Sequence, residues 1–286
     1  METHNLRAFV MVAEEKSFSL AAGKLHLTQP AVSKRVAALE GKLGKLLFDR
    51  IGKQAGLTEA GAVLLPRARA ILDDLQQAER AVRDLSGDIS GRLLLGTSHH
   101  IGLHRLPPVL RRFSRACSNV ELDVGFMDSE QACEQVLQGR IELAVVTLAP
   151  EGNDSVVARC VWPDPLDFVA SPDHPLAGRR QVSLKTLSEY PVILPGMNTF
   201  TGQIAKSIFD GEKLSLNVAM STNYLETIRM MASIGLGWSL LPRTMLDGSL
   251  IALPVPIANP ERKLGYVYHR RRSLSNAARA FIEQLY

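Results

Sequence analysis

The apolar residues in the first sixty positions recur at intervals of three and four, which predicts a group of short helices. Over residues 5–15 they fall on one side, as in an amphipathic helix. A second helix is predicted over residues 20–25, with Ser19 as its N-cap. A third helix follows Thr28, which can cap it, and has Pro30 in its first turn, where a missing N–H is harmless.

The third predicted helix has separate apolar and polar sides. Its apolar residues recur at i, i+4 and i+7, and they are Val32, Val36 and Leu39. Gln29, Ser33 and Lys34 therefore fall on a different, polar side. Two short helices joined by a tight turn, with polar side chains on the second, form a helix-turn-helix that can enter a major groove. A generic small helical bundle has the same apolar spacing, so that alternative stays open at this point.

A hairpin and one long helix are predicted next. Residues 46–58 contain two glycines and predict a wing that places Arg50 and Lys53 for phosphate contacts. From residue 64 to 85, apolar residues are separated alternately by four and three positions, which is the spacing of a coiled-coil seam. The seam residues are Leu64, Ala68, Ile71, Leu75, Ala78, Val82 and Leu85. This narrow stripe suits pairing with another helix, and packing on its own domain is the alternative.

After residue 91 the pattern changes to short apolar runs that alternate with amphipathic segments, which predicts an α/β domain with mainly parallel sheets. Strands are predicted at 92–96, 120–126, 141–146, 167–170, 192–194, 216–220, 237–241 and 264–268. Helices are predicted at 106–116, 129–138, 201–209, 223–234 and 276–285. Pro163, Asp164 and Pro165 interrupt the pattern and predict a crossing between two lobes.

These elements predict three parts. A head spans residues 1–60, a linker helix and hinge span 61–90, and an α/β domain spans 91–286. Within the α/β domain, lobe 1 is expected at about 91–162 and 266–286 and lobe 2 at about 163–265. The length of 286 residues agrees with two independently folded domains.

The net charge of +4 is unevenly distributed along the chain. Between residues 24 and 53 there are seven cations and two anions, whereas residues 91–286 carry 20 cations and 18 anions. A basic excess confined to one small module is expected if that module meets a polyanion. A solvated basic face is the alternative on charge alone.

The composition is that of an ordinary folded protein, 46% hydrophobic and 22% charged. Cys117, Cys133 and Cys160 lie far apart without a CxxC pair, so neither a zinc cluster nor a disulfide framework is expected. The N-terminus lacks the apolar core of a secretory signal, and no run approaches the ~20 apolar residues of a membrane span. We therefore expect a cytoplasmic protein without membrane association or cofactor.

A long ordered pattern over about the first sixty residues carries a family resemblance. It comprises FSLAAGKLHLTQPAVS at 18–33, LE at 39–40, LG at 43–44, LFDR at 47–50 and LTEAG at 57–61. This pattern resembles the winged helix-turn-helix of LysR-type transcriptional regulators. The resemblance implies that Thr28, Gln29, Ser33, Lys34 and Arg50 approach DNA, and the predicted DNA-binding set adds Ser19, Pro30, Arg35 and Lys53. Lys34 stands where arginine is frequent, which keeps the charge but loses the bidentate fork.

The second half resembles the effector domain of the same regulators, which is similar in architecture to periplasmic binding proteins. The matching segments are GRIELAV at 139–145, DHPL at 173–176, GLGW at 235–238 and LP at 241–242. The resemblance implies a cleft between two lobes for a small, anionic or polar metabolite. By matching position, the cleft would be lined by Thr97, Ser98, Met127, Ser129, Thr147, Thr201, Asn223 and Trp238, and His99 and Thr199 are further predicted lining residues. Hydroxyl residues at helix starts suit an anion, although N-capping alone also explains them.

The resemblance also implies partners. The linker helices would pair to form a homodimer or homotetramer, which would place two recognition helices on an approximately palindromic promoter site in double-stranded DNA. RNA polymerase is a further candidate partner. A solute-binding protein would need export, which the missing signal and the basic head oppose. An enzyme is not expected, because GxSxG, Walker A and HExxH motifs are absent.

His99, His100 and His104 raise a metal-site hypothesis, since His100 and His104 can share one side of a helix. No nearby carboxylate or cysteine completes a ligand set, so no metal is expected. Contact with the effector and ordinary packing are the alternatives for these histidines.

Overall fold

The computed structural model describes residues 1–49, 55–84, 87–258 and 260–286. The chain divides into two compact units, Met1–Ser86 and Gly87–Tyr286. Each unit has its own apolar core, as expected when each is long enough to bury one.

The first unit contains three helices, a two-stranded hairpin and a long fourth helix. These are α1 (Thr3–Glu15), α2 (Phe18–Lys24), α3 (Gln29–Leu43), β1 (Phe48–Asp49), β2 (Gly56–Leu57) and α4 (Glu59–Asp84). The hairpin is antiparallel, with Phe48 opposite Leu57, which confirms the predicted wing. Its tip lies outside the described residues, and with it the predicted Arg50 and Lys53.

The starts of α2 and α3 test two capping predictions. Thr28 caps α3 as predicted, since its Oγ1 accepts a hydrogen bond from the Ala31 N–H at 3.4 Å. Ser19 is not the cap of α2, because Ser17 takes that role and accepts from the Leu20 N–H at 3.3 Å. The helix begins earlier because Phe18 belongs to it and packs edge-on against Phe48.

Two features that the sequence pattern did not reveal fix the wing beside α3. The carboxylate of Glu40 is buried and accepts a hydrogen bond from the Leu47 N–H at 2.8 Å. Gly61 lies against the backbone of Leu47, where a Cβ would come within 2.2 Å of the carbonyl oxygen. Only glycine allows this close approach, which accounts for the glycine of the LTEAG segment.

The predicted seam on α4 divides into two parts. Ala68 is fully buried in the core of the first unit, and Leu64 packs against the same core. Both residues therefore support the fold of their own unit. The assignment of the fully buried Ala68 to a pairing seam is wrong, whereas that of the half-buried Leu64 stays a prediction. The seam residues farther along α4 are exposed, namely Ile71, Leu75, Ala78 and Val82. Leu85 lies outside the described part of the chain.

The second unit is a mixed α/β fold. Its strands are β3 (Gly91–Thr97), β4 (Val120–Phe126), β5 (Leu143–Thr147), β6 (Val156–Ala170), β7 (Val192–Leu194), β8 (Val218–Ser221), β9 (Ser239–Pro242), β10 (Ile251–Ala252) and β11 (Glu261–His269). Its α-helices are α5 (His99–His104), α6 (Leu106–Ala116), α7 (Ser129–Leu137), α8 (Leu184–Ser188), α9 (Phe200–Gly211), α10 (Leu225–Ser233) and α11 (Asn276–Glu283). A short 3-10 turn, Arg243–Met245, follows β9. The five predicted helices are present within a few residues, whereas α5 and α8 are additional.

The prediction of mainly parallel sheets is wrong. The large sheet has the order β10-β6-β11-β5-β3-β4, and β9 also pairs with β6. Strand β3 is parallel to β4 and β5, but β11 runs antiparallel to both β5 and β6. Strand β6 is antiparallel to β9 and β10 as well, so the sheet is mixed.

The crossing between the lobes occurs inside a strand rather than at an interruption. Strand β6 continues through Pro163 and Pro165, which were expected to break the pattern. It pairs with β11 as far as Pro165 and with β9 from Leu166 onward. The two apolar cores lie on either side of this change of partner. Lobe 1 contains Phe113 and Phe281, whereas lobe 2 contains Phe209.

Candidate functional site

The polar side of α3 is open to a partner. Thr28, Gln29, Pro30 and Lys34 are exposed, and the predicted contact residue Ser19 is exposed on α2. The apolar side is buried, with Val32, Val36 and Leu39 at most 1% exposed. The sequence therefore placed the two sides of this helix correctly.

Few hydrogen bonds restrain this polar surface. The Nε2 of Gln29 donates to the Oγ of Ser33, one turn away, at 3.1 Å. Ser33 and Arg35 are half-buried. A helix with exposed Gln and Lys side chains and a half-buried Ser can offer donors and acceptors to base edges and phosphates.

A small cavity lies between the lobes of the second unit. It forms where strands β3 and β5 end and helix α7 begins in lobe 1, opposite the start of α9 in lobe 2. It is lined by Ser98, His99, His100, Asp128, Ser129, Glu130, Thr147, Pro195, Thr199, Thr201, Asn223, Leu225 and Arg262. Its volume of about 40 Å³ is enough for only a few water-sized groups.

Arg262 is the cation of this cavity. Its side chain is only 4% exposed, and its Nε donates to the Oδ2 of the fully buried Asp164 at 2.6 Å. Its Nη1 reaches the Oγ1 of Thr201 at 3.4 Å. Its Nη2 is buried and has no hydrogen-bond partner among the described residues. Burial lowers the pKa of the guanidinium and Asp164 opposes that change, so the group remains a cation.

The start of α9 already holds a carboxylate from the opposite lobe. The Phe200 N–H donates to the Oε1 of Glu130 at 2.5 Å, and Glu130 belongs to α7 of lobe 1. The Oγ1 of Thr199 caps α9 by accepting from the Gly202 N–H at 3.0 Å. Free N–H groups and the helix dipole make such a start favourable for negative charge. Glu130 therefore occupies a position suited to an external anion.

Other polar contacts hold the two lobes together. The Nδ2 of Asn223 donates to the Oδ2 of Asp128 at 2.7 Å, and its Oδ1 accepts from the Gly196 N–H at 3.0 Å. Farther along the cleft, Glu226 lies beside His104 and His100. The two imidazoles lower the pKa of Glu226 to about 2, so this carboxylate is ionised. Burial lowers the pKa of His100.

Seven of the ten residues predicted to line the cleft do line the cavity. They are Ser98, His99, Ser129, Thr147, Thr199, Thr201 and Asn223. The structure thus brings together side chains from segments that are more than 100 residues apart in sequence.

Three of the predicted lining residues lie elsewhere. Thr97 is fully buried, and its Oγ1 donates to the Val145 carbonyl at 2.8 Å inside the sheet. Met127 packs against an apolar cluster of lobe 1. Trp238 is fully buried in lobe 2, where its Nε1 donates to the Leu187 carbonyl at 2.9 Å and its ring stacks on Phe209. These three assignments are therefore corrected, because each side chain already has an interior partner.

Sequence reasoning missed Glu130, Asp164 and Arg262. A signal for Arg262 was present, since the alternation along β11 puts it on the same buried side as Leu264. A charged residue at an apolar position of a strand indicates a buried partner. Glu130 carried no such signal, because an acidic residue in the first turn of a helix is common.

Cys117 and Cys133 do not have the character of reactive thiols. Burial, with a smaller contribution from Glu130, raises the pKa of Cys133 to about 11. Burial also raises the pKa of Cys117. Cys160 is exposed on β6, and all three are free. Because the thiolate is the nucleophile, Cys133 and Cys117 are poorly suited to redox sensing.

Comparison with known proteins places both units in one family. Residues 3–62 match the model described as "Bacterial regulatory helix-turn-helix protein, lysR family". Residues 86–286 match the model described as "LysR substrate binding domain". Among the described helices, none is long and apolar enough to cross a membrane.

Individual relatives and solved structures agree with these matches. The RuBisCO operon transcriptional regulator of Allochromatium vinosum is 32% identical over 284 residues, which cover 97% of this chain and 93% of that protein. A full-length OxyR variant from Pseudomonas aeruginosa has a TM-score of 0.73 at 23% identity, over 100% of this chain and 97% of that one. Full-length CbnR, solved in complex with its target DNA, has a TM-score of 0.65 at 20% identity, over 100% of this chain and 99% of that one.

The two solved structures show that their fold is shared with this chain. The function is supported by the family models and by the curated relative. The relative is named as a transcriptional regulator and not as an enzyme. With family models matching both units and a relative similar over nearly its whole length, the chain belongs to the LysR family of DNA-binding transcriptional regulators.

Proposed function

We propose that this regulator responds to a small monoanion that binds in the inter-lobe cavity. The observation that carries the proposal is the buried Nη2 of Arg262, which has no hydrogen-bond partner among the described residues. Leaving a buried donor of a cation unsatisfied is costly, so a ligand that accepts from it gains that free energy. The start of α9 lines the same cavity, and its backbone N–H groups favour a negatively charged ligand there.

The size and charge of the cavity restrict its ligand. A volume of about 40 Å³ suits a ligand of few atoms. Asp128 and Glu130, both at the start of α7, line the cavity together with one arginine. Additional negative charge would be repelled by these carboxylates, which favours a ligand with a single charge.

The response is a shift between two arrangements of the lobes. In the structure, the carboxylate of Glu130 joins α7 to α9 by accepting a hydrogen bond from the Phe200 N–H. An anion that accepts from this N–H instead displaces the carboxylate. Loss of this contact changes the balance between closed and open lobes. A ligand shifts such an equilibrium only by its difference in affinity for the two arrangements.

The DNA-binding part of the proposal rests on α3 and α4. The exposed polar side of α3 enters the major groove, with Thr28, Gln29, Ser33 and Lys34 facing the bases and phosphates. The exposed seam residues Ile71, Leu75, Ala78 and Val82 pair with a second copy of α4. A homodimer or homotetramer thus presents two recognition helices to an approximately palindromic promoter site. The protein acts in the cytoplasm, and RNA polymerase is a further partner.

The ligand is tested by calorimetry and thermal shift on the full chain. Formate, nitrate and acetate are compared with the neutral formamide and acetamide at constant ionic strength. A ligand that binds only the folded state raises the melting temperature, so at least one monoanion should do so while the amides do not. Thr201→Val should weaken that binding about tenfold, since a hydrogen bond to a charged group contributes about 1.5 kcal/mol or more.

The matched control is Thr222→Val, which changes a threonine of the same lobe outside the cavity. It should bind the anion as the wild type does. Equal shifts from the anions and the amides would contradict an anion site, and undiminished binding by Thr201→Val would contradict its location.

A further inference from the structure

Two histidines and a glutamate from opposite lobes meet beside the inter-lobe cavity. His100 and His104 are one turn apart on α5 of lobe 1, with ring centroids 4.7 Å apart. Glu226 lies in the first turn of α10 in lobe 2. Its Oε1 is 2.8 Å from the Nε2 of His104 and 3.5 Å from the Nδ1 of His100. One donor atom from each of the three residues lies within 4.8 Å of the others.

His100 is the unusual member of this cluster. Its side chain is 4% exposed, yet neither ring nitrogen has a hydrogen-bond partner among the described residues. The Nδ1 faces the Glu226 carboxylate without forming a hydrogen bond to it. Buried polar atoms nearly always have a partner, because leaving one unsatisfied costs free energy. Because the nearest polar atom to the Nδ1, the Oε1 of Glu226 at 3.5 Å, does not have hydrogen-bond geometry, the ring of His100 can accept a further partner.

The donor set and its spacing fit a tetrahedral metal ion. Zinc binds imidazole nitrogen and carboxylate oxygen at about 2.0–2.2 Å. Two atoms at that distance from a tetrahedral centre lie about 3.3–3.6 Å apart. The separation of 3.5 Å between His100 and Glu226 agrees with this value, and the shorter contact of His104 can open because that side chain is 43% exposed.

We propose that His100, His104 and Glu226 bind a divalent transition-metal ion of the zinc class. Two imidazoles and one carboxylate form a three-residue set that leaves a fourth position for water. The ion would join α5 of lobe 1 to α10 of lobe 2 and so favour the closed arrangement of the lobes. This site uses neither Arg262 nor the start of α9, so it can be correct even if the cavity binds no anion.

The test measures metal binding by the full chain directly. Purified protein stripped with a chelator is titrated with zinc sulfate, with sodium sulfate as the blank, and the bound zinc is determined against a competing chelator. One zinc ion per chain should bind saturably, and cobalt(II) should give the visible absorption of a tetrahedral site. Magnesium should not compete, because it prefers oxygen ligands in octahedral geometry.

Three variants separate this site from the other histidines of the chain. His104→Gln and Glu226→Gln should each weaken zinc binding at least about tenfold, since each removes one of three ligands. His4→Gln is the control, because His4 is exposed on α1 of the first unit, and its zinc affinity should equal that of the wild type. Circular dichroism of each variant checks that the fold is retained.

The proposal is overturned if the wild type binds no zinc saturably, or if magnesium competes equally. It is also overturned if His104→Gln and Glu226→Gln bind zinc as the wild type does, because the ion would then lie elsewhere. A loss of binding in folded variants, with His4→Gln unaffected, supports the site.

Discussion

The polar side of α3 and the inter-lobe cavity differ in how far apart in sequence their side chains are and in how exposed these side chains are. The α3 side chains come from one stretch of fifteen residues, and most of them are exposed. The cavity is built from segments between Ser98 and Arg262, and its polar groups already bind one another across the lobes. We therefore expect a substitution on the polar side of α3 to change binding with little effect on stability, and one in the cavity to change binding and stability together.

The largest effect is expected from Arg262→Ala. The substitution leaves the fully buried Asp164 with Arg105 as its remaining cation, at 3.2 Å. Removing one partner of a buried ion pair costs about 3–5 kcal/mol, because the other charge stays buried. Urea unfolding followed by tryptophan fluorescence measures the loss of unfolding free energy in the second unit alone. Both tryptophans, Trp162 and Trp238, lie in that unit.

Arg105→Ala is the control for that measurement. Arg105 is 27% exposed and makes a longer contact with Asp164, so its loss should cost clearly less. Equal losses of unfolding free energy for the two variants would show that burial of the Arg262 guanidinium does not determine the stability of the second unit.

The second effect concerns DNA. Replacing Ser33 and Lys34 together by alanine should weaken specific binding by about 1–3 kcal/mol for each lost base contact. Folding should be unaffected, because Lys34 is exposed and Ser33 is half-buried. Gel shifts at fixed salt measure the affinity on DNA selected in vitro with the wild type, and Lys185→Ala in the second unit controls for the loss of one charge.

Light scattering on the same samples checks the pairing of α4. Wild type and variant should both have two or four times the chain mass of 31.3 kDa. A monomer mass for the wild type would contradict pairing, and unchanged affinity of the variant would contradict the role of α3.

The smallest effect is expected from Thr97→Val. This change removes the buried hydrogen bond from Thr97 to the Val145 carbonyl and should cost about 0.5–1.5 kcal/mol. Binding of an anion should be unchanged, since Thr97 does not line the cavity. Urea unfolding measures the change in stability, and calorimetry measures the anion affinity. A lost anion response with unaltered stability would restore the original assignment of Thr97 to the cleft.

The accuracy of the sequence predictions depended on how local each feature is. The two sides of α3 followed from the spacing of Val32, Val36 and Leu39 alone, because the helix repeat fixes which residues share a side. The N-cap of α2 was misplaced by two residues, since only the packing of Phe18 on Phe48 decides between Ser17 and Ser19.

The larger errors in the second unit have the same origin. The proline-containing segment of β6 looked like a break, but pairing with β11 holds it extended. Threonine and tryptophan at Thr97 and Trp238 matched the family pattern, yet their polar atoms are used inside the protein. No periodicity in the chain reports which buried carbonyl a side chain will meet.

The amino-acid pattern alone was enough to predict the helix-turn-helix, its wing and the polar side of α3. These features depend on contacts between neighbours in the chain, where spacing fixes geometry. The family was indicated separately, by the resemblance of about the first sixty residues to LysR-type regulators. Three other features emerge only in the folded chain: Glu130 lies at the start of α9, Arg262 lies buried beside Asp164, and Glu226 completes the pair His100 and His104. The histidines and Glu226 are more than 120 residues apart, and only the arrangement of the two lobes in the folded chain brings these side chains within contact distance.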